Sequence, residues 1–323
     1  MKIVHSHVLW LTTIVVLGGC AGGGGGGGGG APNLPVVQPF TSWSAVQPNS
    51  KVPAQGMSQT TSLTFAPNGD VTSVAAVSAV NTAASSATLT FGTSQQDLTG
   101  LQFSAPAGSV TWDSTVLGGG TVRCGGQQCT ASKDSGASEA LTINPYAPQG
   151  PGWNYQSFGV WETGTSTSGT FGAMSFGAPT PVNALPSSGI ATYTGLTAGV
   201  YVNGTGQLFG TSANMSATVN FGPARSVAFS TIGTQVSTAS GALTPRPELN
   251  MTGALTYLSG STQFTGAVNT APGFPSFNLS GTATGRFYGP AAQEIGGVYS
   301  LTRPQQVGEV VQPSMGGAFG GKQ

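Results

Sequence analysis

Apolar and polar side chains take strict turns along several stretches of this sequence. Met215, Ala217, Val219 and Phe221 alternate with Asn214, Ser216, Thr218 and Asn220. Leu249, Met251, Gly253, Leu255 and Tyr257 alternate with Glu248, Asn250, Thr252, Ala254 and Thr256. Phe277, Leu279, Gly281, Ala283, Gly285 and Phe287 alternate with Asn278, Ser280, Thr282, Thr284 and Arg286. Successive side chains of a strand point to opposite faces, so each stretch makes a strand with one apolar and one hydroxyl-rich face. Gly, Pro and Asn turn signals separate the stretches, which predicts an all-β barrel or sandwich.

Residues 185–303 hold seven or eight such segments, at 190–202, 206–221, 225–238, 248–258, 262–269, 276–288 and 294–302, the second being long enough to bend or split. That count fits an eight-stranded antiparallel β-barrel, and the small residues Gly281, Ala283 and Gly285 on the apolar parity suit a narrow one. Residues 37–184 alternate more weakly, at Leu63–Phe65, Ala87–Phe91, Leu101–Phe103, Val110–Trp112 and Leu141–Ile143, and read as a loop-rich, handle-like β domain. Three prolines in "FGAPTPVNALPSSG" mark the boundary between the two. After residue 303 the alternation ends, so 304–323 reads as a flexible C-terminal tail. Alternation alone does not say which face is inward. A water-soluble barrel puts apolar residues inside and a membrane barrel puts them outside. The lack of clear aromatic girdles and the ending "GGKQ" favour the soluble arrangement.

Only 6% of the 323 residues are charged and the formal net charge is zero. No basic stripe is present, so nucleic acid is not an expected partner. Both histidines, His5 and His7, lie near the start of the chain. If that segment is removed, no His-dependent nucleophilic catalysis or His-ligated zinc is possible, and no metal site or cofactor is expected. The nine carboxylates, Asp70, Asp97, Asp113, Asp134, Glu139, Glu162, Glu248, Glu294 and Glu309, are scattered. A fold could bring two together as a glycosidase-like pair, but no local motif predicts it. No catalytic residue is assigned, and the chain reads as a non-enzyme.

The first residues explain why the histidines would be lost. Val8–Leu17 is an apolar run of ten, shorter than the roughly 20 residues that span a bilayer, and it fits the core of a secretory signal. It ends in Leu17-Gly18-Gly19-Cys20, which resembles the lipobox of bacterial lipoproteins. The resemblance implies a signal peptide at 1–19 and acylation (palmitate among the chains) of Cys20. It also implies an outer-membrane address, since Ala21 is not the acidic residue that retains such proteins at an inner membrane. Nine glycines, Gly22–Gly30, follow. Residues 20–36 then form a tether, and flexible chain from 21 to 40 has an r.m.s. span of about 25 Å, enough to hold a folded body clear of the headgroups. The remaining cysteines, Cys124 and Cys129 in "RCGGQQC", are expected to form a disulfide across a surface hairpin in an oxidising compartment. Two thiolates on a metal would lack their other ligands.

The segment "GRFYGPAAQEIGGVY" resembles the transferrin-binding-protein-like surface lipoproteins, in the pattern G-x-F-x-G-x-x-A-x-E-x-G-G carried by Gly285, Phe287, Gly289, Ala292, Glu294, Gly296 and Gly297. "YQSFGVWETG" at 155–164 is similar to that family's entry into its barrel lobe, and "GIATYTGLTAGVYV" at 189–202 to its first barrel strands. The resemblance implies one handle-plus-barrel lobe, lipid-anchored and facing the cell exterior. Its expected role is to capture an extracellular ligand, such as a host iron-carrier protein, haem or another nutrient or host protein, and to present it for uptake. It also implies a surface-lipoprotein translocator and a TonB-dependent transporter as partners. A passive structural or adhesive coat protein is the competing class. In the motif, Phe287 is expected to enter the core, Gly289 to turn the chain, Gly296 and Gly297 to permit close approach, and Arg286 to pair with Glu294. Trp153 and Tyr155 in "PGWNYQ", with Trp112 and Trp161 nearby, are candidate ligand contacts, although such aromatics also fill junctions between domains.

Overall fold

The computed structural model describes residues 35–133, 138–143, 152–237, 241–274 and 277–323. The predicted signal, Cys20 and nearly all of the predicted tether lie outside these residues.

Two sheets account for the described chain. The first contains β1 (Val36–Val37), β2 (Ser50–Phe65), β3 (Val71–Val74), β4 (Ser86–Phe91), β5 (Leu98–Ala105), β6 (Gly108–Asp113), β7 (Thr121–Gly125), β8 (Gln128–Lys133), β9 (Ser138–Ile143), β10 (Gln156–Gly164) and β11 (Ser168–Gly177). Its order is β6-β5-β4-β2-β11-β10-β9-β8-β7, with β1 and β3 added to β2. The sheet curls until it is nearly closed around a core that includes Trp43, Leu89, Phe103, Trp112, Trp161 and Phe176. Val36, assigned to the tether from sequence, instead pairs in parallel with Ser50 of β2.

The second sheet is a closed antiparallel barrel of β12 (Ile190–Val202), β13 (Leu208–Asn220), β14 (Ser226–Ser237), β16 (Met251–Tyr257), β17 (Gln263–Thr270), β18 (Ser280–Tyr288), β19 (Glu294–Thr302) and β20 (Ser314–Lys322), with the short β15 (Leu243–Pro245) appended to β14. The eighth strand is therefore not a split of the second segment. β13 runs unbroken, with one register shift between Ser212 and Asn214. The closing strand comes from the region expected to be a flexible tail. β20 pairs with β12 along Thr194–Val202 and with β19 along Glu294–Thr302. An open sheet would leave two edges of unpaired backbone, and β20 satisfies both at once.

The apolar parity points inward. Tyr193, Met215, Phe229, Phe264, Phe287, Tyr299 and Phe319 pack in a filled lumen. Phe287 touches the rings of Phe221, Tyr257 and Phe264 at centroid distances of 5.5, 5.4 and 5.2 Å. The opposite parity, with Thr218, Thr252 and Thr282, is exposed, which is the arrangement of a water-soluble barrel.

Where the two bodies meet, one face of β10, β11 and β2 lies on the outer wall of β12, β20 and β19. Phe158, Val160, Phe171 and Ala173 pack there against Ala198, Val200, Val298 and Ala318. The wall is low because its side chains are small. A Cβ on Gly320 would lie 2.7 Å from Phe158, and one on Gly296 would lie 2.3 Å from Ser175 Oγ. β2 records the same contact in its burial. It alternates buried and exposed from Ser50 to Gln55, then is buried on both faces from Gly56 to Gln59 under the barrel. Gln59 donates its side-chain amide to the Tyr299 carbonyl.

Candidate functional site

Glu294 opens β19 after the last tight turn, where Gly289 takes φ +85. Its carboxylate accepts the backbone N–H groups of Asn154, Tyr155 and Gln156, the latter two at 2.9 Å. Burial pushes its pKa up to about 7, against the lowering effect of those three N–H groups and of Lys322. The motif's acid thus ties the start of β10 to the barrel. This corrects the pairing expected with Arg286. Glu294 spends its oxygens on backbone donors, and no ion pair of Arg286 occurs among the described residues. The segment 155–164, expected at the entry to the barrel, is β10 of the first sheet.

The same junction absorbs the candidate contact aromatics. Trp153 is 3% exposed, with its ring 5.6 Å from Phe158. Tyr155 is half-buried and lies against Gly289, where a Cβ would come within 2.6 Å of its ring. Trp112 donates Nε1–H to the Ser138 carbonyl and Trp161 packs on Phe103, both inside the first sheet. Trp153 is buried in the apolar cluster of the junction with Phe158 and Val160, which is the junction-filling role weighed for such aromatics from the sequence. Ala292 is buried, and its carbonyl accepts from Tyr193 Oη and Gln323 Nε2. Gly285 leaves room for the Phe264 ring, and Gly297 for Phe319. Cys124 and Cys129 sit directly opposite each other on β7 and β8 and form a disulfide.

The barrel's two ends differ. At one end, the connections 221–225, 258–262 and 289–293 are tight. At the other, the longer connections gather beside 203–207, through their described residues 241–250, 271–274, 277–279 and 303–313. Variable loops on a rigid scaffold are where binding usually resides, and this end carries the chemistry for it. Tyr201 stacks on Phe209 at 6.1 Å and lies 6.4 Å from Phe277. Arg246 caps the Phe277 ring at 5.9 Å and pairs with Glu248 at 3.1 Å. Arg303 grips Glu309 through both guanidinium nitrogens, which lowers the Glu309 pKa, while burial pushes Tyr201 up to about 12. The loop tips expose Phe274, Leu243, Val307 and Val310. Sequence reasoning assigned none of these residues to a binding site. The aromatic content was visible in the sequence, but its convergence depends on which strand ends share one rim.

A carboxylate pair also forms out of sight of the sequence. Glu139 on β9 faces Glu162 on β10 across the ladder. Burial and the neighbouring Glu139 push Glu162 up to about 8. Neither residue lines the two cavities found beside residues 74–77. No group of three or more His, Cys, Asp or Glu able to hold a metal occurs among the described residues.

Residues 185–323 match the family described as the C-lobe and N-lobe β-barrels of Tf-binding protein B. The fold is transferrin-binding-protein-B-like. The matched range takes in β20 and so agrees with the closed barrel. Among solved structures, the chain is similar to the isotype 1 transferrin binding protein B from serogroup B Neisseria meningitidis, at 16% identity and a TM-score of 0.44, covering 82% of this chain and 43% of that one. It is also similar to a double mutant of transferrin binding protein B from Haemophilus parasuis Hp5, at 13% identity and a TM-score of 0.41, covering 84% and 76%. The chain therefore spans less than half the length of the first of these. No curated protein sequence matches it.

Proposed function

We propose that this protein is a non-catalytic, lipid-anchored cell-surface protein that captures an extracellular ligand at the long-loop end of its barrel and presents it for uptake. The observation that carries this reading is the transferrin-binding-protein-B-like barrel with its lumen filled by side chains. A filled lumen leaves the rim and outer surfaces to make contacts. The rim supplies exposed Phe274 and Val310 beside the Arg246–Glu248 and Arg303–Glu309 pairs. Apolar anchors within a charged surround are the composition of a protein-binding patch, so a protein ligand suits this rim better than a small molecule. The structures it resembles are named for transferrin binding, and an iron-carrier protein is accordingly the first ligand to test. In this reading Cys20 bears the acyl chains, 20–36 is the leash, and a translocator and a TonB-dependent transporter serve as export and uptake partners.

The test is affinity capture from the growth environment with the full-length chain, compared with a Phe274→Asp, Val310→Asp double variant. Capture of one defined protein by the wild type and its loss in the variant is expected. Surface attachment with no soluble partner for either would replace this reading with an adhesive or structural coat.

A further inference from the structure

A cleft of about 340 Å³ separates residues 74–77 of the first domain from the outer wall of the barrel. Its barrel side is hydroxyl-lined, by Ser280, Thr282, Ser300, Thr302 and Ser314. It continues into an apolar recess of about 30 Å³ bounded by Leu63, Val77, Phe171, Val200, Met315 and Gly316. Val74, Val77, Ser300 and Ser314 border both spaces, so the two are contiguous. No charged side chain lines either one.

The segment beside the cleft is half of a ladder. Val74 pairs with Leu63 of β2, Ala75 donates its N–H to the Ser62 carbonyl at 2.9 Å, and Ser78 donates to Thr60 at 2.8 Å. The N–H groups of Ala76 and Val77 meet no protein acceptor among the described residues, and Ala76 is exposed. Because the Ala75 N–H points to β2, that of its neighbour Ala76 points the other way, and an unpaired edge group of this kind is a template for another strand.

We propose that this cleft binds an extended, uncharged peptide segment, which adds a strand to the open edge at residues 76–77 and seats one aliphatic side chain in the recess. Main-chain hydrogen bonds along an edge supply affinity and a side-chain pocket supplies selectivity. The hydroxyl wall offers donors and acceptors to the outward side of such a strand, and without a countercharge it disfavours a charged segment. The recess is too small for an acyl chain, and no aromatic platform faces the cleft for a sugar ring. Gln312 of the 303–313 connection also lines the cleft, so the site adjoins the long-loop end, but it does not depend on which ligand that rim takes.

Blocked octapeptides of Ser and Thr with a single central Leu or a single central Ala serve as probes for the full-length chain, with Val methyl NMR as the readout. The Leu peptide is expected to bind about tenfold more tightly than the Ala peptide, from the extra apolar area buried, and to shift the methyls of Val74 and Val77. Ala76→Pro removes an edge N–H that has no internal partner, and is expected to abolish binding of both peptides while leaving the melting temperature and ligand capture at the rim unchanged. Gly316→Val fills the recess, where a Cβ meets nothing closer than 3.6 Å, and is expected to erase the preference for Leu. Equal binding of the two peptides by the wild type would overturn the proposal, as would binding that survives Ala76→Pro. So would no binding of either peptide, or methyl shifts produced instead by a neutral oligosaccharide or a fatty acid.

Discussion

Gln156 opens β10 with its backbone N–H donated to the Glu294 carboxylate at 2.9 Å, although 138 residues separate the two in sequence. The same carboxylate holds Asn154 and Tyr155, so one side chain fixes the register between the domains. Replacing Glu294 with Ala orphans three N–H groups, two of them on partly buried residues. The expected cost is about 2–4 kcal/mol, each lost acceptor counting for roughly 1 kcal/mol or more. Glu294→Gln keeps an acceptor and should cost less. Urea unfolding midpoints of the two variants would show this ordering, and equal midpoints would contradict the clamp.

Glu162 responds to pH. Its pKa is raised in the folded state to about 8, so its contribution to stability is full below the ordinary carboxylate value of 4.5 and is lost as pH rises through 8. Melting temperature should fall between pH 5 and pH 9, with Glu294 contributing to the same fall, and Glu162→Gln should reduce that slope. A variant whose slope matches the wild type would show that Glu162 is not the group responsible.

Cys124 and Cys129 close a loop with a sequence separation of only 5. Reduction should therefore cost only about 2 kcal/mol, the low end for disulfides because the loop is short. The loss should appear in the first domain alone. Limited proteolysis with and without reductant, followed by mass spectrometry, should place new cleavages at 114–133 and none within 190–322.

Deleting residues 314–323 removes the strand that bridges β12 and β19. The truncated chain should lose protection across the whole barrel rather than fray at one end, because Met315 and Phe319 also leave the lumen core. Hydrogen exchange on the full and truncated chains would separate these outcomes. Retained protection in β16 and β17 would contradict closure by β20.

The strands of the barrel were legible locally. In β13, β16 and β18 the alternation of apolar and hydroxyl residues has a single solution, since a one-residue slip would turn every Thr inward. β20 was not legible. In Ser314–Lys322 the inward residues are Met315, Gly317, Phe319 and Gly321, and the outward ones include Gly316, Ala318 and Gly320, so both faces look alike. The cause is tertiary. Phe158 and Gln156 press on Gly320 from outside, while Tyr299 crowds Gly317 from within, and neither pressure is written near residue 314. Tyr155 likewise looked like a contact residue because the barrel position it lies against, Gly289, comes more than a hundred positions later.

The sequence by itself determined the all-β class, the alternation that gives each barrel strand one apolar and one hydroxyl-rich face, and the turn at Gly289, because these depend on side-chain order and backbone sterics within a few residues. Only the tertiary structure decided that the last strand closes the barrel, that Glu294 clamps two domains, that Glu139 meets Glu162, and that the long loops share one rim. Those outcomes depend on which distant surfaces are pressed together, and hydrogen-bond satisfaction and steric fit across such surfaces have no local signature.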